Sequence, residues 1–166
     1  MFELKSLGPD SVAKALQKVE RYRLLNEPAE AESICLDVLR VDPGNQQALV
    51  MLLLALTDQF DLGSAAGVNR ARELLPALTS EYERAYYAGI ICERRAKALV
   101  RQALAGSASV AYDSLREAMM HYERAETMRP AHDDSALLRW NTCARMLMQS
   151  QHLAPGTQER LDLPLE

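Results

Sequence analysis

Glycine is scarce, seven in 166 residues, and aromatic side chains make up only 5% of the chain. No stretch alternates polar and apolar residues with β-branched enrichment, which excludes a sheet. Cysteine is scarce as well: Cys35, Cys92 and Cys143 are odd in number and far apart within helical patterns. They fit buried thiols in a reducing compartment better than a disulfide framework. The longest unbroken apolar run, Ala48–Leu56, spans nine residues. A membrane span needs roughly 20, so this run reads as a buried helix and no membrane partner is expected. The opening MFELKSLGPDSV has no basic segment leading into an apolar one, so the expected location is cytoplasmic. A net charge of −4 and a pI near 5.5 lack the basic excess of a nucleic-acid binder.

Catalytic signatures are also missing. The chain carries no glycine-rich phosphate loop, no G-x-S-x-G and no H-E-x-x-H. His121, His132 and His152 read as surface residues without an i,i+4 pairing or a carboxylate partner at metal spacing. Asp133–Asp134 is explained by a helix N-terminus, where carboxylates interact favourably with the helix dipole. The expectation is a non-enzyme without cofactor or metal, a small helical enzyme or metal protein being the distant alternative.

What is present is helix-forming sequence: abundant Ala, Leu, Glu and Arg in a chain that is 48% hydrophobic, enough for one domain with a real core. Turn signals at GPDS, NEP, DPGN, DLGS, ALTS, AGSAS, RPAHDD and APGT leave seven predicted helices. They cover about residues 10–25, 29–41, 46–60, 65–78, 81–104, 109–129 and 134–151. Pro28 suits a first helical turn. Ser80 with Glu83 predicts a capping-box start, and Pro76 should kink its helix or end it early. Short connections predict antiparallel hairpins.

One spacing recurs. Ala31 precedes Pro43 by twelve residues, and Ala118 precedes Pro130 by twelve. Around the second pair, Ala111, Leu115, Ala118, Tyr122 and Ala125 form a narrow stripe on one helix face. Small residues in the stripe let a neighbouring backbone approach, the proline ends the helix, and a new apolar helix follows each proline.

A hairpin with an Ala and a closing Pro at these offsets resembles the tetratricopeptide repeat, whose period is about 34 residues. The match is strongest over residues 12–45. There Tyr22 stands at the first-helix aromatic position, Ala31 at the small position, Cys35 at the bulky one, and Pro43 closes the unit. Further units span about 46–81 and 82–130, the latter carrying Ala88, Gly89, Cys92, Ala118, Tyr122, Ala125 and Pro130. Units two and three carry about six and thirteen extra residues, and Glu83 stands where unit two should close on proline. The resemblance implies an all-α, right-handed solenoid of stacked hairpins (residues 1–153), a capping helix at 134–151 and a tail at 154–166.

The resemblance further implies binding of another protein along the concave side, lined by the first helix of each unit. Carried onto this chain, that groove holds Glu20, Arg23, Gln47, Val50, Met51, Leu54, Asp58, Glu83, Tyr86, Tyr87, Ile90, Arg94, Asn141 and Arg145. The partner-binding candidates are Val50, Met51, Leu54, Tyr86, Tyr87, Ile90, Arg94, Asn141 and Arg145. The family's carboxylate clamp is absent, since Leu16, Glu20, Met51 and Leu54 occupy its positions. An adaptor that takes a peptide or helix of a partner is the leading expectation. A dedicated chaperone similar to the three-repeat type III secretion translocator chaperones is the alternative.

Four further features bear on the groove. Arg94, Arg95, Lys97 and Arg101 form a basic strip that either solvates the fifth helix or receives an acidic peptide. Trp140 is expected to fill the junction between the last helix and the third unit. On that last helix Leu137, Leu138, Cys143, Met146 and Leu147 should pack inward while Asp134, Arg139, Asn141 and Arg145 stay wet. In the tail, Leu161, Leu163 and Leu165 alternate with polar residues and prolines. It reads either as a frayed terminus or as a segment docking on its own or a neighbouring molecule, which keeps a homodimer open.

Overall fold

The computed structural model describes residues 2–62 and 65–156. These residues are all-helical, with seven α-helices and no strand among them. The helices are α1 (Val12–Leu24), α2 (Pro28–Val41), α3 (Gln46–Thr57), α4 (Ala65–Leu74), α5 (Glu81–Gln102), α6 (Ser107–Glu126) and α7 (Ser135–Gln149). The expected leucine-rich tail falls largely on residues 157–166, outside the described residues.

Local chemistry sets most of the boundaries. Pro28 occupies the first turn of α2, where its missing N–H is not needed. The Asn45 side chain accepts from the Ala48 backbone N–H at 2.9 Å and starts α3. Ser80 does the same for α5, its hydroxyl accepting from the Glu83 N–H at 3.2 Å. α4 stops at Leu74 and passes into a 3-10 turn over Leu75–Ala77 that contains Pro76, as a proline inside a helical pattern requires. α3 is shorter than its pattern predicts, because the chain re-forms as a separate 3-10 turn, Phe60–Leu62, that buries Phe60. At the far end of α5, Ala103 adopts a left-handed cap and Gly106 a positive φ of 77°, which turns the chain into α6.

Consecutive helices pack on one another, most extensively α5 on α6, and α3 also touches both α1 and α5. The small residues of the recurring spacing lie inside this packing: Ala31 and Ala118 are fully buried. Two large apolar clusters form the core. One gathers residues of α5, α6 and α7 around Leu115, Tyr122 and Cys143. The other gathers α1 to α5 around Val19, Cys35, Leu53 and Ile91. Leu54 and Tyr87 pack against both clusters.

α5 is therefore the central helix, covered on more than one side. Five consecutive residues, Gly89 to Glu93, are all buried, which an amphipathic surface helix with a single apolar stripe does not do. Ile90, expected to line the groove, is only 1% exposed. It belongs to the core because α6 and α7 cover the face on which it lies. The last helix also corrects its pattern. Leu138 is 63% exposed, whereas Arg139 is half-buried because its guanidinium reaches inward to Glu93.

Candidate functional site

The site grows from a carboxylate. Glu93 is completely buried, and an unpaired charge in such a position would be strongly destabilising. Three donors satisfy it: the Tyr122 hydroxyl at 2.7 Å, Lys97 Nζ at 2.5 Å and Arg139 Nη1 at 3.3 Å. Burial, then the adjacent Glu93 charge, pushes the Tyr122 phenol far above its ordinary pKa, so it stays a donor. The ring of Tyr122 lies directly over Gly89, where a side chain would collide with it.

Lys97 and Arg139 hold Glu93 from the wall of a concavity of about 480 Å³. Its lining comes from the odd-numbered helices and their ends: Glu20 and Arg23 of α1, Thr57 and Asp58 at the end of α3, Arg94, Lys97 and Arg101 of α5, and Arg139 of α7. Asp58 organises the opposite side. Its carboxylate accepts from Arg23 Nε at 2.8 Å and from Arg94 Nη1, which also donates to Thr57 Oγ1 at 3.0 Å. Arg101 completes the row through Asp61 at 2.8 Å.

Including Glu93 beneath the floor, five cations meet four carboxylates here (Glu20, Asp58, Asp61, Glu93), in a chain of net charge −4. The basin is thus locally positive on an acidic molecule. Its pairs also preorganise it. Each arginine carries five N–H donors, more than its internal pairs use. Lined by such groups, the basin can receive carboxylates or another anionic segment through charge-assisted hydrogen bonds.

Of the expected partner-binding residues, Arg94 lines this basin. So do Glu20, Arg23 and Asp58 from the wider groove set, and Lys97 and Arg101 from the basic strip. Arg94 is not a free landing point, being held by Asp58 and Thr57. Tyr86 and Tyr87 are half-buried, their rings 5.2 Å apart, with Tyr82 and Tyr122 at 5.8 and 5.9 Å from Tyr86. This aromatic group, partly exposed, packs on the α5–α6–α7 core. Met51 and Leu54 likewise pack on core clusters, Val50 and Asn141 are partly exposed, and Arg145 is exposed. Trp140 packs on the α5–α6–α7 cluster and its indole N–H donates to Glu123 at 2.9 Å.

Glu93 and Arg139 escaped sequence reasoning. The Glu93–Lys97 spacing of four was visible, but an i,i+4 pair reads as a solvated surface feature. One histidine also differs from its sequence reading. His121 is half-buried with Nε2 3.8 Å from Glu117, four residues before it, and burial lowers its pKa although Glu117 opposes the shift. His132 and His152 are exposed as expected. No helix among the described residues is long and apolar enough to cross a membrane. Compared with known proteins, the chain matches no family model, no curated protein and no solved structure.

Proposed function

We propose that this chain is a protein-interaction module, a tetratricopeptide-like solenoid of helix hairpins that holds an acidic segment of a partner protein. The observation that carries the reading is the basin: all four odd-numbered helices supply its wall, and five cationic side chains face it. Stacked hairpins whose first helices line a common concave side produce that arrangement, and the contacts of α3 with both α1 and α5 fit it. Next to the basin, around Asn26–Glu30 and Gln59–Leu62, lies a second concavity of about 500 Å³. It shares Asn26, Asp58 and Asp61 with the first. Leu24 at the first and Leu62 at the second are both more than three-quarters exposed. An extended segment with carboxylates at the basin and one or two uncharged apolar side chains at the second concavity, whose lining includes Glu27 and Glu30, matches this surface. The three buried thiols suit a reducing compartment such as the cytoplasm.

A random peptide library displayed on phage tests the reading. Peptides selected by the wild-type chain are expected to be enriched in Asp and Glu. Arg101→Glu removes a half-exposed cation without touching the core, and should weaken the selected peptides and slow their association, most visibly at low salt. Selected peptides without acidic enrichment, bound equally well by Arg101→Glu, would rule the basin out.

A further inference from the structure

On the side of α5 away from the basin lies a different group of side chains. At about 100° per residue, Cys92 projects roughly opposite the Arg94–Lys97–Arg101 stripe. It faces α6, where Glu117 and His121, four residues apart, share one helix face. The Cys92 sulfur, a Glu117 carboxylate oxygen and a His121 ring nitrogen all lie within 4.8 Å of one another. We propose that Cys92, Glu117 and His121 form a site for one zinc-class divalent cation that ties α5 to α6.

The donor set points to the ion. Thiolate with imidazole favours zinc over magnesium or calcium, which take oxygen ligands. Three protein ligands leave a fourth tetrahedral position open, and Glu117, with its side chain 48% exposed, sets that position toward solvent. Zinc bond lengths of about 2.0–2.3 Å require donors roughly 3.3–3.8 Å apart. His121 and Glu117 already stand at 3.8 Å. The gap left to the buried sulfur is within 4.8 Å, and Glu117 and His121 are the partly exposed side chains that would move to close it. Binding converts the thiol to thiolate and releases its proton to solvent.

Arg72 of α4 occupies the place of the cation's charge. Its guanidinium lies 3.9 Å from Glu117 and its side chain is 41% exposed, and it must swing outward when a metal arrives. Arginine and metal therefore compete for the same carboxylate. Removing Arg72 should tighten metal binding, while the Cys92 thiolate is what separates the site from a surface Glu–His pair.

The test uses the full chain after chelator treatment, titrated with Zn²⁺ by calorimetry and with Co²⁺ by absorption. One ion per chain is expected, with a thiolate-to-cobalt charge-transfer band that is lost in Cys92→Ser and kept in Cys35→Ser and Cys143→Ser. Glu117→Gln and His121→Gln alter partly exposed side chains and should fold; each should weaken binding by at least about 10-fold. Arg72→Ala should strengthen it, and zinc should raise the melting temperature of the wild type. No thiolate–cobalt band in the wild type would overturn the site. So would a band that persists in Cys92→Ser, or affinities unchanged in both Glu117→Gln and His121→Gln.

Discussion

Gly89→Ala should destabilise the protein, although the helix-propensity rule alone forecasts the reverse. Replacing a mid-helix glycine by alanine gains about 1 kcal/mol from backbone entropy. At Gly89 the new methyl would stand 2.5, 2.7 and 2.9 Å from Cε1, Cδ1 and Cζ of Tyr122, closer than carbon atoms approach. The ring has little room to retreat: it is fully buried and its hydroxyl is tied to Glu93 at 2.7 Å. Overpacking a core typically costs about 1–3 kcal/mol. Stretching a hydrogen bond to a charged acceptor adds part of the roughly 1.5–3 kcal/mol such a bond contributes. The net is a destabilisation of about 1–3 kcal/mol, or some 2–4 °C in melting temperature per kcal/mol for a chain of this size.

Urea unfolding followed by circular dichroism measures it. In a Tyr122→Leu background the clash is gone, so Gly89→Ala should turn neutral or favourable there. The two changes should show a coupling energy well above the few tenths of a kcal/mol expected of independent sites. A Gly89→Ala variant more stable than wild type by about 1 kcal/mol would refute the reasoning. It would mean that Tyr122 does not pack on Gly89 as closely as described.

Ala31→Leu and Ala118→Leu each place a large side chain where none is exposed, and thermal melts should register losses of about 1–3 kcal/mol. Burial pushes the Cys35, Cys92 and Cys143 thiols up to about 12, 11 and 12. Ellman's reagent should therefore find them unreactive in the native chain near neutral pH and all reactive in denaturant. His121 has its folded pKa lowered below the ordinary 6.5, mainly by burial, with Arg124 and Arg72 reinforcing and Glu117 opposing. As pH falls the unfolded chain takes up this proton first, so stability is lost progressively below pH 6.5. Urea midpoints measured on either side of that value should decline less in His121→Gln than in wild type.

The all-helical class, the seven helices of the described residues and most of their ends were legible in the sequence, because local interactions fix them. Pro28, the caps at Asn45 and Ser80, and the break at Pro76 act within one turn of chain and need no partner elsewhere. The buried stripe through Ala111, Leu115, Ala118 and Tyr122 was legible for the same reason: helical periodicity alone puts those residues on one face. Ala31 and the three cysteines followed from residue type, since small and apolar side chains between helices have few other places to go.

Periodicity says which residues share a face, but not how many faces a helix has covered. α5 is packed from several directions, so Ile90 passed from the expected groove into the core, and Glu93 became a buried carboxylate. Only the packing of α6 and α7 on α5 brought Tyr122 and Arg139, 29 and 46 residues away in sequence, to that carboxylate. The same long-range packing turned Leu138 outward and Arg139 inward, against the hydropathy of each, because a buried charge needs a partner more than a leucine needs cover. The basin was decided at this level too. Arg23, Asp58, Arg94 and Arg139 are spread over four helices, and what each contributes depends on the charges that folding sets within a few ångströms of it.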